Sequence, residues 1–413
     1  TPVQVAAIDT QDLQALSDEQ MKSLSGTQIA AFSTSQVSTL FALQSLPFTQ
    51  VQLQSVSSAG IAALSTALLG KLEDSQIKAL TVDQVKALTT TQLNSLTDTQ
   101  IASLDAVDVA GISTSNIAQL STTQISRLTN VQVTALTNAQ VKALTTGQIT
   151  ALSEDQIKAL EPTDIAVMTT AQVRALGANQ LAQMSALQIQ ALNKTAVASL
   201  GTDQLNMLED AQVQAFSADQ VKALTSTQLN SLKDTQLASI DTGDIAGISA
   251  NNIAQLSTTQ ISRLSNAQVT ALTNAQVKAL STGQVSALTD DQIKGLEPAD
   301  IAVMNTAQVR ALGANQLAQL SAQQIQALNK SAVASLTTDQ LGALEDAQVK
   351  ALSADQVKAL TSAQLNSLSD SQLASIDTGD IANITANNIA QLSTTQISRL
   401  SNAQVTALTN AQV

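Results

Sequence analysis

Every residue whose number is a multiple of eight, from Ile8, Leu16, Leu24 and Phe32 through to Leu400 and Leu408, is Leu, Ile, Val, Met or Phe. The 413 residues hold fifty-one such octads without an insertion or deletion, and five residues more. If each residue is assigned to a row by its place in the octad, the fifth row is nearly as strict. It runs from Val5 and Leu13 to Val413, with Ser45 its only polar occupant. The unit reads Leu-[Ser/Thr]-x-x-Gln-[Val/Ile/Leu]-x-Ala, as in Leu136-Thr137-Asn138-Ala139-Gln140-Val141-Lys142-Ala143. So constant a period means one repeat array rather than a string of unrelated globular domains.

The apolar rows decide between strand and helix. Successive apolar steps are five and then three residues, as from Leu136 to Val141 to Leu144, and this breaks the in–out alternation of a strand once per octad. A continuous helix fails too. Eight steps of about 100° turn the apolar stripe by about 80° each octad, so it never forms a face. A helix interrupted once per octad satisfies both rows.

The interruption is written at rows one and four. Ser or Thr followed three residues later by Gln is a capping box: the hydroxyl accepts from the backbone N–H three residues on, and the Gln side chain reaches back to the cap's own N–H. Other caps are mostly Asp105, Asn193, Glu161 or Gly177 and their like, with Phe41 and Lys233 the odd ones. Pro2, Pro162 and Pro298 all fall just after the cap, at the first helical residue, where a missing N–H costs nothing. Acids favour the two positions after the cap (Glu154, Asp155, Asp290, Asp291), and bases the helix end (Lys142, Lys158, Arg174, Lys222, Arg310), matching the helix dipole. Each octad is then one helix of about a turn and a half. Such a helix is far below the ~12 residues at which isolated helices become marginally stable. The fold class that follows is all-α: a solenoid of very short capped helices, one per octad, with a continuous Leu/Val/Ala core. Ala or Ser at row seven (Ala143, Ala151, Ser231, Ser239) lets neighbours approach, and Gln, Asn, Thr and Ser are expected to cover the solvent side.

A longer period lies over the octads. Asn116–Leu120 recurs as Asn252–Leu256 and Asn388–Leu392, and Glu161-Pro162 as Glu297-Pro298, an offset of 136 residues or seventeen octads. Residues 73–413 are therefore expected to form a regular array. Residues 1–72 keep the octad but blur its letters, and hold Phe32, Phe41, Phe48, Ser45 and Pro47. This stretch is expected to be an N-terminal cap or junction. The C-terminal end carries no such deviation, and a stack of like units without a polar cap is expected to join end to end with further copies.

Composition removes several functions. The chain has no Cys, His, Trp or Tyr, so imidazole or thiol catalysis, zinc held by Cys or His, and disulfides are absent. Charged residues are 12% of the chain against 44% hydrophobic, which suits a folded protein rather than charge-rich disorder. With 19 Lys+Arg against 32 Asp+Glu the net charge is −13, spread along the length, so nucleic acid is not an expected partner. No run of about 18 apolar residues exists to span a membrane. Thr1-Pro2-Val3-Gln4 shows neither an initiator Met nor a signal sequence, and reads as a chain whose leader has been removed or as a piece of something longer.

Candidate site residues are few. The pairs Asp105/Asp108, Asp241/Asp244 and Asp377/Asp380 have the look of Ca²⁺ ligands, and Asp241-Thr242-Gly243-Asp244 that of a calcium-loop fragment. Both acids of each pair occupy cap and box-partner slots, however, so a structural role is expected and no metal site is assigned. Lys142 and its equivalents are expected to be solvated charges at helix ends. Ser and Thr have no His or identifiable Lys base, and the glycines form no phosphate loop. No catalytic, cofactor-binding or metal-binding residue is expected, and the chain is not expected to be an enzyme.

The unit Leu144-Thr145-Thr146-Gly147-Gln148-Ile149-Thr150-Ala151-Leu152 resembles repeat tracts of very large secreted or surface-displayed bacterial proteins, described as adhesin-like or haem-utilisation-like. The resemblance covers essentially the whole chain. It implies a structural, extracellular role at the cell surface. The haem label has no ligands to rest on here, since His, Tyr, Cys and a suitably spaced Met pair are missing. The resulting expectation is a rigid rod, as a self-assembling filament subunit or adhesin stalk whose partner is itself. The alternative is a protein-binding solenoid scaffold, although no aromatic or Arg hot spots mark a binding face.

Overall fold

The structure, a computed structural model, describes residues 1–43 and 48–413; Ser45 and Pro47 lie outside the described residues. It is all-α, with fifty helices and no strand among the described residues. Nearly all have four to six residues, one per octad.

Thr137 shows how each helix starts and stops. It is extended at φ −77° and ψ 153°, its Oγ1 accepts from the Gln140 N–H at 3.3 Å, and its own N–H donates to Gln140 Oε1 at 2.8 Å. Seven residues later Leu144, at φ −56° and ψ 137°, turns the chain out of the helix and into the next cap. The three expected prolines stand in the first helical turn. Where the cap lacks an oxygen, half the box still holds: the N–H groups of Gly177 and Lys233 reach Gln180 Oε1 at 2.6 Å and Gln236 Oε1 at 2.9 Å. At Phe41 no polar cap is present, and the helix begun after Ser33 runs on for ten residues, Thr34–Leu43. Phe41 is fully buried and stacks on Phe48, ring centroids 4.8 Å apart.

The chain divides into two compact units, Thr1–Leu208 and Glu209–Val413. Within the first, helix Asn138–Ala143 packs on Thr114–Ile117 and on Pro162–Val167, three octads away in either direction. Within the second, Asn274–Ala279 packs in the same way between Ala250–Ala254 and Pro298–Val303. The octads of each unit thus wind into a superhelix, and the core runs along it. Away from the terminal octads row five is buried, fully so at Val141 and Ile149, and row eight nearly so, as at Leu144 and Leu280, whereas Ile397 and Val405 of row five are exposed. Lys278 stands exposed. Row-seven alanines such as Ala143 and Ala151 are half-buried.

One expectation is corrected. Most row-four glutamines do not face solvent: Gln140 and Gln276 are 1% exposed, whereas Gln4 and Gln20 in the first octads are exposed. Gln140 Nε2 donates to the carbonyl oxygens of Val109 at 2.8 Å and Ile112 at 2.7 Å, and Gln276 Nε2 to those of Ile245 and Ile248 at the same two distances. The partners lie 31 and 28 residues back. A turn closing between three and four octads sets helix-end carbonyls over each Gln. A carboxamide has an acceptor for the cap and donors for those carbonyls, so one side chain closes its own helix and binds the turn before it.

Candidate functional site

The arrangement most specific to this chain is the row of side-chain amides between superhelical turns, and its departures show what it is for. At Asn116, Asn252 and Asn388 the shorter amide still donates to the carbonyl 28 residues back, those of Leu88 at 3.0 Å, Leu224 at 2.9 Å and Leu360 at 2.8 Å. At Ala196 and Ala332 no amide is available from row four, and the cap has become Asn. Asn329 Oδ1 accepts from the Ala332 N–H at 2.8 Å while its Nδ2 donates to the Met304 carbonyl at 3.0 Å; Asn193 does the same with Ala196 and Met168, at 2.9 and 3.4 Å. Gly60 and Leu68, in the blurred N-terminal octads, offer no amide. A second, outer row adds hydroxyls: Thr134 and Thr150 donate to the carbonyls of Ala159 and Ala175, 25 residues on.

The acid pairs are drawn into the same row. Asp105 is an exposed cap that makes no side-chain cap bond, and Asp108 is buried at 4% exposure in the glutamine position. Burial, and then the charge of Asp105, pushes the Asp108 carboxyl up to about 6. Asp244 and Asp380 are half-buried beside the exposed Asp241 and Asp377, and are raised by the same two causes in the same order. Among the described residues no three His, Cys, Asp or Glu groups gather as a metal site would require. Lys142 is exposed in the last turn of its helix.

Sequence reasoning passed over Asp164 and Asp300. Both are 2% exposed, and each accepts the cap N–H, from Glu161 and Glu297, at 3.0 Å through Oδ2. Burial raises both carboxyls; the cap hydrogen bond opposes this, and the charge of Glu161 or Glu297 adds to it. The signal was available as an acid standing where the octad writes Gln.

Gly177 borders an open hollow of about 750 Å³ edged by Thr150, Ser153, Asp155, Asn179 and Gln180. Another of about 400 Å³ recurs at Gly313 with Ser286, Asp290, Asn315 and Gln316, one long repeat later. Each follows from a cap that has no side chain, and offers hydroxyl, carboxamide and carboxylate groups on an open surface. Among the described residues no helix is long and apolar enough to cross a membrane.

Short capped helices wound into a superhelix by a repeating side-chain ladder define an α-solenoid repeat protein. Within that class the chain belongs to the ALTTAQ repeat family, which matches nine times, over residues 5–41, 69–106, 132–161, 157–194, 197–234, 237–274, 293–330, 333–370 and 373–410. A stretch such as 333–370 is long enough to hold both Gln364 and the Val333 and Leu336 carbonyls to which it donates. No curated protein matches the chain. Among solved structures, that of APUM23-GGAAUUGACGG aligns with 98% of this chain and 96% of that chain at 9% identity. Its TM-score of 0.19 is too low to carry an argument on fold or function.

Proposed function

We propose that this repeat protein is a structural element of the cell exterior, serving as a filament subunit or as the stalk of a surface adhesin, with no catalytic role and no nucleic-acid partner. The observation that carries the reading is the direction of the amide ladder. Each turn presents amide donors to the turn before it and carbonyl acceptors to the turn after it, as Gln172 does toward Val141 and Leu144. The bonding that joins turn to turn is therefore the bonding that would join one copy to the next, a heterologous contact that propagates instead of closing. Residues 1–72 would serve as the specialised junction, with the Phe41–Phe48 stack as its distinguishing core. The balance of charge, −13 overall, supports the exclusion of nucleic acid. Localisation outside the cell rests on the resemblance to secreted and surface-displayed bacterial repeat tracts.

A second reading, a protein-binding scaffold, is favoured by one feature of the first unit. Val107, Val131 and Leu187 are about two-thirds exposed at row three, and the helices of Val107 and Val131 pack on one another. Negative-stain electron microscopy of the purified chain separates the two readings. Uniform fibres that lengthen with concentration are expected; dispersed short particles that retain a protein partner would replace the first reading with the second.

A further inference from the structure

In most octads from residue 73 onward the carbonyl 28 residues before row four is served by Gln, by Asn, or by a cap Asn when row four is Ala. Three buried acids at row four have no such amide. Asp108, Asp164 and Asp300 would have to serve the carbonyl oxygens of Leu80, Leu136 and Leu272, and an ionised carboxylate has no proton to give. Asn116, one octad after Asp108, shows that a side chain of aspartate's length reaches: its Nδ2 meets the Leu88 carbonyl at 3.0 Å. Asp164 and Asp300 already accept the cap N–H on Oδ2, as Gln does on Oε1. This leaves Oδ1 to play the part of the amide nitrogen once it carries a proton.

We propose that Asp108, Asp164 and Asp300 form an acid-closed latch: protonated, each donates its carboxyl O–H to the carbonyl of Leu80, Leu136 or Leu272; ionised, each leaves that carbonyl without a donor and loosens the two turns. The proton comes from and returns to solvent, and no other bond changes. The surroundings favour the protonated form. Asp108 has Asp105 beside it, with Asp83 and Lys86 on the packed helix Val82–Ala87 and no charge on Asn130–Thr134. Asp164 has Glu161 beside it, with Lys142 on Asn138–Ala143 and no charge on Ala186–Ala191; Asp300 has Glu297, with Lys278 on Asn274–Ala279 and no charge on Ala322–Ala327. These lysines are exposed, and none pairs with the three acids among the described residues. A carboxyl whose folded value is raised makes the fold more stable as pH falls through that value, and the gain is lost as pH rises through it. For Asp108 that window runs from about 6 down toward 3.8.

The test is hydrogen exchange on the full chain between about pH 5 and pH 8, with protection factors corrected for the intrinsic rate. In the native chain, protection of residues 106–111 is expected to fall roughly tenfold as pH rises and that of residues 162–167 and 298–303 to fall in the same direction, and in D108N/D164N/D300N all three are expected to change less than about twofold. Asn occurs naturally at this row, so the variant keeps the fold. D155N/D219N/D355N, which removes the same charge from exposed positions, is expected to behave as the native chain does. A native chain without pH dependence at these helices, or a fall of equal size in the Asn variant, would overturn the latch.

Discussion

Gln140 Nε2 lies 2.7 Å from the carbonyl oxygen of Ile112, a residue 28 positions earlier and a full superhelical turn away. The same carboxamide holds the Thr137 N–H through Oε1. A single side chain thus fixes where its helix begins and which earlier octad lies above it. Short helices that cannot stand alone are joined by a bond that forms only when two turns are in register, and this makes the stack cooperative.

Replacing Gln140 by Ala removes the acceptor for the Thr137 N–H and the donor for two buried carbonyls. A loss of roughly 2–3 kcal/mol is expected, since unpaired buried polar groups cost about 1–3 kcal/mol each and water will serve some of them. Because each octad touches only its neighbours, the loss should stay local. Hydrogen exchange should speed up at residues 106–111 and 138–143 and be unchanged at residues 354–359.

Leu280→Asp should fracture the second unit, while Lys278→Ala should be close to silent. Leu280 is 4% exposed on the row-eight core and would leave a buried, unpaired carboxylate; Lys278, two residues away, is exposed. Limited proteolysis separates them: rapid cleavage near residue 280 is expected for the first variant and a native pattern for the second. Equal resistance of both would mean that row eight does not carry the core.

The core rows, the caps and the proline positions were all legible in the sequence, because the pattern that marks each is complete within eight or nine residues. Val141, Leu144 and Thr137 stand where the octad puts them. The role of Gln140 was only half legible. Its bond to Thr137 is local, whereas its bonds to Val109 and Ile112 depend on how many octads make a turn, a quantity that no spacing inside one octad contains. The same gap hid Asp164 and Asp300: a box partner that is Asp instead of Gln looks harmless until the carbonyl awaiting a donor is in view.

Gly177 and Gly313 have ordinary extended cap backbones, at φ −66° and −68°, so they gain nothing from glycine's freedom. An added Cβ would come no nearer than 3.4 and 3.6 Å to the Gln180 and Gln316 Oε1 atoms. Serine at either position should restore the missing hydroxyl and narrow the unfolded ensemble, raising stability by roughly 0.5–1 kcal/mol. Thermal unfolding of G177S and G313S should show a higher transition, and a lower one would mean the hollow beside these caps cannot accept the side chain.

Three arginines repeat one exposed pairing at the long period: Arg127 with Asp98 at 3.1 Å, Arg263 with Asp234 at 3.3 Å, and Arg399 with Asp370. With about half of each side chain in water, Arg127→Ala should cost under about 0.5 kcal/mol, and salt should erase the difference. A larger, salt-insensitive loss in chemical denaturation would indicate packing by the arginine stem.

Asn329 and Ala332 offer the sharpest check on the ladder, because they exchange roles that elsewhere belong to Thr and Gln. Asn329→Ser keeps an acceptor for the Ala332 N–H but removes the donor to Met304, so a loss of about 1 kcal/mol is expected. Ala332→Gln with Asn329 in place sets two amides against one carbonyl in a fully buried site, and should also destabilise. Together the changes rebuild the octad found at Ser321 and Gln324, whose Nε2 reaches the Leu296 carbonyl at 2.7 Å. The double variant should therefore recover most of the native stability, with a coupling of at least about 1 kcal/mol between the two sites. Additive losses would show that Met304 gains its donor by accident of the cap, and that the row does not require every turn to be tied to the one before.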